Sequence, residues 1–462
     1  MKTKLLYVIL FLCCSIKVLG QNNAAEFSFN EFLGYVKKYH PLVKQADLKL
    51  NEAQANLMQA RGAFDPKIEV DFKEKEFKGK EYYSLLNSSF KIPTWYGIEL
   101  KAGFDNAEGM YVNPENTLPN SGLTSFGVSV PVGQGLLINQ RMADIRKAKI
   151  ARSLNTAERN LQVVEVIYDA AVSYMHWKRS FDEVQLYETY LKNALRRYEG
   201  VSKLIEEGDK PSIDSVEAGI AVKTRRLHLE EAKLKLTKAK LELSNYVWLE
   251  NNIPLELNDN LQPESLLSKT LKETLRINEL NPISLDNHPK IKALDAKIAV
   301  LKVERKQKAN SLLPKLDLSY HYLSEPSYID TYRFEDYKIG LNFSFPVFLR
   351  KERAGVKLAD LKIQDSEFGL QFERKNLENK FKSQQQEIIS LEKQRDYNTN
   401  LVKDYNTLLN AEDRLFEMGE SSLFIINSRE NALIGSQINE IILENRYLNA
   451  LLGLYKTVAN PE

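Results

Sequence analysis

Several stretches of the chain alternate apolar and polar residues with a period of two. Residues 97–105 place Ile98, Leu100, Ala102 and Phe104 on one face and Glu99, Lys101 and Asp105 on the other. Residues 124–132 set Phe126, Val128, Val130 and Val132 against Ser125, Gly127 and Ser129. Residues 315–323 set Leu316, Leu318, Tyr320 and Tyr322 against Lys315, Asp317, Ser319 and His321. Residues 337–347 set Tyr337, Ile339, Leu341, Phe343, Phe345 and Val347 against Lys338, Gly340, Asn342 and Ser344. Alternation over about ten residues predicts strands of a transmembrane barrel with a wet lumen. A half-buried antiparallel sheet has the same period. Tyr82, Tyr83, Trp95, Tyr96, Tyr111 and Tyr337 near strand ends favour the membrane, as an aromatic belt.

Elsewhere the period becomes helical. From Gln140 to Glu206 there is no proline and one glycine, Gly200, and apolar residues recur at Ile145, Ala148, Ala151, Leu154, Ala157, Leu161 and Val164. As one helix this stretch would be roughly 100 Å long at about 1.5 Å per residue. A second such stretch runs from about Arg353 to Glu417, with Gly355 and Gly369 as its weak points. Such lengths predict a coiled coil or a helical tube. Val163, Val164, Val166 and Ile167 are nearly contiguous, so the first helix has apolar flanks on more than one side, as the wall of a cylinder requires.

The two long helices belong to two copies of one unit. His40-Pro41 opens a segment that repeats from His288-Pro289, at a constant offset of 248 that also aligns Pro66-Lys67 with Pro314-Lys315. Ser129-Val130-Pro131-Val132 is echoed by Ser344-Phe345-Pro346-Val347. Gly208 is matched by Gly419 at an offset of 211, which also aligns Ala148 with Ala359. A period above 200 residues means a duplicated domain, not a solenoid. Each copy reads helix, strands, long helix, turn, helix.

The first copy, 21–249, has room for four strands at 67–77, 81–92, 97–106 and 124–132, with a tight turn at Pro93–Gly97 and a polar loop from Asn106 to Leu123. The second, 288–462, has room for two, at 315–323 and 337–347. Six strands cannot close a useful channel alone, so several chains must share one barrel. Each long helix stops at a glycine, Gly208 or Gly419, and return helices follow over 212–247 and 423–458. Helices 41–63 and 289–311 complete the length of the wall beside them. Residues 250–287 form an irregular equatorial link with one short helix near Ser265–Leu280, and Ser28…Glu31 is a capping box opening a helix up to His40.

Composition adds the compartment. Lys2 and Lys4 precede an apolar stretch from Leu5 to Ile16, so residues 1–20 are expected to be a secretory signal cleaved after Gly20. A transmembrane anchor needs about 20 apolar residues and is disfavoured. The only cysteines, Cys13 and Cys14, leave with the signal. Removing Lys2, Lys4 and Lys17 takes Lys plus Arg from 64 to 61 against 62 acids, a mature charge near −1, which argues against nucleic acid as a partner. No later run of 18 apolar residues exists, so any membrane span must be made of strands. No H-E-x-x-H, G-x-S-x-G or phosphate-binding glycine loop occurs, and the five histidines lie far apart, so no catalytic, cofactor or metal site is expected.

Taken together these features resemble the TolC-type outer-membrane efflux and secretion channels, the outer membrane factors, over nearly the whole mature chain. The resemblance rests on His40-Pro41, the strand starts at Pro66 and Pro314, the Ser-x-Pro-Val strand ends, the glycine turns, and Asp214 and Ala218 six and ten residues past Gly208. It implies a mainly α homotrimer with a shared transmembrane β-barrel in outer-membrane lipid and a periplasmic tunnel of twelve helices. Such a protein is the exit duct of a tripartite efflux or type I secretion system. The turns, with Gly208, Asp209, Lys210, Gly419, Glu420 and Ser421, become the periplasmic tip that meets an adaptor and an inner-membrane pump. The family's acidic aperture, six and nine residues past the second glycine, is here Ile425 and Ser428, while the first copy carries Asp214 and Glu217. Those two acids also suit a solvated helix start. Three chains of six strands would give 18 strands where familiar members have 12. The alternative reading is a periplasmic coiled-coil adaptor or rod with no membrane strands.

Overall fold

A computed structural model describes residues 25–258, 260–276 and 285–459; the expected signal at 1–20 lies outside them. The elements are α1 (Phe29–Tyr39), α2 (Pro41–Gly62), β1 (Lys67–Phe77), β2 (Lys80–Pro93), β3 (Glu99–Glu108), β4 (Leu123–Pro131), α3 (Gln140–Glu206), α4 (Ile213–Ser244), α5 (Leu267–Thr274), α6 (Pro289–Asn310), β5 (Lys315–Ser324), β6 (Tyr337–Ser344), α7 (Arg350–Glu417) and α8 (Leu423–Val458). The order is helix, strands, long helix, turn, helix, twice over. The chain divides into two compact units that do not follow the repeats: each draws segments from both copies.

One unit comprises residues up to 41, 167–279 and 386–453. Its core is aromatic at one level, where Phe29, Phe32, Tyr174, Trp177 and Tyr447 are fully buried or nearly so. Each such side chain contributes about 1.5–3 kcal/mol by leaving water. Tyr174 donates its hydroxyl to the Phe27 carbonyl at 2.6 Å and accepts the Glu264 N–H at 3.0 Å, which ties the segment around Glu264 to the residues before α1. Ser28 caps α1 by accepting the Glu31 N–H. The short helix expected near Ser265–Leu280 is α5, ending at Thr274, and part of the expected range lies outside the described residues.

The other unit comprises 42–166, 280–385 and 454 onward, and holds all six strands in one antiparallel sheet, ordered β6-β5-β4-β3-β2-β1. Strand β3 continues through Asn106 and Ala107, which the sequence pattern assigns to a loop. The reason is β2, whose 14 residues supply Leu86 and Leu85 as partners there. The Pro93–Gly97 turn closes with the Thr94 N–H on the Ile98 carbonyl, and Gly97 supplies the positive φ of 75°. Asn139 then starts α3. Its side chain accepts the Met142 N–H at 2.8 Å and donates to the Trp95 carbonyl at 2.9 Å, pinning the helix to that turn.

Register sorts the sheet into two chemically opposite faces. Ile68 lies opposite Phe90, Phe90 opposite Ala102, Ala102 opposite Phe126, Phe126 opposite Tyr322, and Tyr322 opposite Tyr337. Ile92, Leu100, Val128, Tyr320 and Ile339 form a parallel apolar row. Between these rows, on the other face, run Lys67, Lys91, Lys101, Gly127, His321 and Lys338. The His321 ring occupies the space over Gly127, where an added Cβ would come within 2.3 Å of it. Lys91 pairs with Glu69 on this face, and Arg141, in the first turn of α3, meets Glu99 at 2.5 Å.

Candidate functional site

Two helix ends carry the same backbone geometry. At the end of α3, the Asp209 N–H donates to the Leu204 carbonyl at 2.8 Å and the Gly208 N–H to Ile205 at 3.1 Å. At the end of α7, the Glu420 N–H donates to Leu415 at 2.8 Å and the Gly419 N–H to Phe416 at 3.0 Å. Both are Schellman turns with glycine at the left-handed position, φ 85° and 79°. A side chain added at either glycine would meet nothing within 4 Å, so glycine is there for the backbone and not for space.

The turns lie side by side. Val201, Ala218 and Leu423 form one buried cluster with Ile205 and Phe416 packed on it. The Lys210 ammonium sits over the Phe416 ring, 4.9 Å from its centre, so the first turn reaches the end of the second long helix. Ser421 donates its hydroxyl to Glu412 on α7. Gly208, Asp209, Gly419 and Glu420 are exposed, while Lys210 and Ser421 are half-buried. Of the four residues expected at the aperture, Glu217 accepts from the Asn427 amide at 3.3 Å, which ties α4 to the start of α8. Asp214 is half-buried, and Ile425 and Ser428 are exposed; among the described residues none of these three side chains hydrogen-bonds across the turns.

Below the turns is a charge cluster that sequence reasoning missed. Glu430 on α8 is 1% exposed and binds Arg225 of α4 at 3.2 Å and Arg197 of α3 at 3.3 Å. Arg197 also lies 3.7 Å from Asp413 of α7, and Arg225 donates to Asn431 at 2.6 Å. Four helices are thereby joined by one network, with Arg225 and Glu430 buried at its centre. Burial, with Glu430 and neighbouring acids adding to it, holds the Asp413 carboxyl above the usual carboxylate range. Two turns further along α8, Tyr190 of α3 donates to the Gln437 side-chain carbonyl oxygen at 2.5 Å, and burial pushes its phenol up to about 12. The available signal was Glu430 itself, a lone acid among Leu423, Ile426, Leu433 and Ile434 in the most apolar helix of the chain.

The histidines take structural places. His288 caps α6, its Nδ1 accepting the Lys290 N–H at 3.1 Å and its Nε2 lying 3.0 Å from the Thr457 carbonyl. His40 stacks on Tyr246 just beyond α4. Each repeat-opening histidine thus seats against the end of a return helix. His228 stacks on Tyr187, and His176 approaches Glu242 at 3.9 Å.

Comparison with known proteins agrees with this arrangement. The family described as "Outer membrane efflux protein" matches residues 36–247 and 281–460. The fold is similar to that of the Campylobacter jejuni CmeC outer membrane channel (TM-score 0.65, 14% identity, 93% of this chain and 85% of that one). It is similar also to the outer membrane protein VceC of Vibrio cholerae (TM-score 0.65, 12% identity, 93% and 95% covered). The Neisseria gonorrhoeae MtrE outer membrane channel in its open state gives a TM-score of 0.66 at 11% identity, with 96% and 94% covered. No curated protein is detectably similar in sequence. The family match spans both copies of the repeat and most of the chain, and the chain belongs to the outer membrane efflux proteins.

Proposed function

We propose that the chain is the passive exit duct of a tripartite efflux or type I secretion system, working as a homotrimer. The observation that carries this reading is the sheet: one face is apolar, the opposite face is charged, and both outer strands, β1 and β6, have a free edge in its order. In lipid an unpaired backbone group costs several kcal/mol, so the sheet suits a membrane only when copies complete it. Residues 21–249 and 288–462 serve as the two structural repeats, joined by the link at 250–287. The paired turns around Gly208 and Gly419 serve as the periplasmic tip that meets an adaptor and an inner-membrane pump, with Asp214, Glu217, Ile425 and Ser428 at the aperture. Cargo is driven by the pump, and the duct contributes a polar lining, a sealed wall and a tip that opens; no catalytic step is assigned to it. The family assignment favours this duct over a soluble coiled-coil adaptor. Membrane fractionation, native mass in detergent and planar-bilayer recording test it. The expected result is a heat-modifiable trimer in the outer membrane that conducts ions; a soluble monomer without conductance would overturn it.

A further inference from the structure

We propose that β1 of one copy pairs antiparallel with β6 of the next, Val70 opposite Leu341, so that three copies close a single barrel of 18 strands. That the copies number three rests on the duct reading above; the seam and its register rest on the sheet. The order β6-β5-β4-β3-β2-β1 is antiparallel at every step, and six is even, so the first and last strands of adjacent copies meet antiparallel. Neither edge is closed by a proline or by a bulge within its apolar segment. Strand β6 has no proline and no bulge over Tyr337–Ser344, and the bulge of β1, between Lys75 and Glu76, lies beyond its apolar segment.

Three constraints fix the register. Side chains directly opposite share a face, so apolar residues of β1 must meet apolar residues of β6. Placing Ile68 opposite Phe343, Val70 opposite Leu341 and Phe72 opposite Ile339 matches all three of the exposed apolar residues of that run using positions already in strand conformation. The polar face then sets Glu69 against Asn342 and Asp71 against Gly340. Lys73 faces Lys338 but is held by Asp71 at 2.7 Å. Finally, Lys67 is level with Lys338 across its own sheet and would stand opposite Ser344 at the seam, a stagger of six residues over six strands. One residue per strand is the stagger of the eight-stranded barrel of shear eight, whose strands tilt by about 36°. Outer-membrane barrels tilt by about 35–45°. Slipping the seam two residues towards Tyr337 flattens the tilt to roughly 26° by the same relation, outside that range. At a strand spacing of about 4.8 Å, 18 strands at this tilt give a backbone radius of roughly 17 Å, against roughly 11–12 Å for 12 strands.

The mature chain provides a clean test, because its expected signal removes Cys13 and Cys14. The full chain is expressed with Val70→Cys and Leu341→Cys together, oxidised in outer membranes, and run boiled on a non-reducing gel. Directly opposed positions lie within reach of a disulfide. The expected result is a ladder ending at covalent trimer, lost on reduction, with no ladder from either single variant. If the β1–β2 hairpin folded outside the wall, β3 would meet β6 instead. Ala102→Cys with Leu341→Cys would then cross-link, and the seam would be wrong while the duct stood. Native trimers that cross-link in neither pair overturn the seam alone. A chain that is monomeric and non-conducting without substitutions overturns the duct itself. Heat-modifiable mobility of each unboiled variant shows that it folded.

Discussion

Burial depresses the imidazoles of both repeat-opening histidines below the ordinary value of 6.5, with the carbonyl near each ring offsetting part of the effect. The folded state therefore favours the neutral ring. Stability from this source is whole above the unfolded value, and it is lost as pH falls through the depressed folded value. Thermal unfolding in detergent between about pH 7.5 and about pH 5.5 is expected to show a falling midpoint, and His288→Asn a flatter one. An equal slope in the variant would show that the cap at α6 does not titrate in this way. At the glycines the argument is conformational. Gly208→Val or Gly419→Val costs about 1–2 kcal/mol for a left-handed β-branched residue, while the added Cβ meets nothing within 4 Å. Trimers are expected to survive on native gels while complementation of a strain lacking the chain fails. Normal export from both variants would remove the turns from the tip.

Helices of this length are legible one at a time but not in their partnerships. Gln140 to Glu206 lacks proline and keeps one apolar period, and it is one helix. The duplication was visible in residues too, since His40 and His288 open both copies and the same Schellman bonds close both long helices. What joins the helices was not legible. Glu430 and Arg225 are 205 residues apart in a chain that is 27% charged, so nothing local marks them as a pair. Register was equally hidden, because the partner of β1 depends on distant backbone and not on its own alternation. The sequence therefore left open whether the first hairpin joins the sheet, and it does. The charge cluster is where four helices depend on one another. Glu430→Ala leaves Arg225 buried without its acid and is expected to cost about 3–5 kcal/mol in chemical denaturation. Replacing Arg225 and Glu430 together with Met is expected to recover most of that loss. If the double variant is as unstable as the single, the network owes its effect to packing.

Across the whole molecule, the row that runs Lys67, Lys91, Lys101, His321, Lys338 has an electrical consequence. Apolar rows flank it, so in a barrel it would lie within the depth of the hydrocarbon, facing the water. Lys91 is neutralised by Glu69, but among the described residues Lys101 and Lys338 have no acid within 4.0 Å. Their field reaches about 30 Å at 0.01 M salt, about 8 Å at physiological strength and about 3 Å at 1 M. A barrel of roughly 17 Å backbone radius would therefore be charged to its axis only in dilute solution. Bilayer recordings across a KCl gradient are expected to show a zero-current voltage displaced towards the chloride equilibrium potential in dilute salt, fading near 1 M, and moved towards the potassium side by Lys101→Glu with Lys338→Glu. The duct would then filter by sign only where counter-ions are scarce, and a periplasm emptied of salt would give anions an easier passage through it than cations.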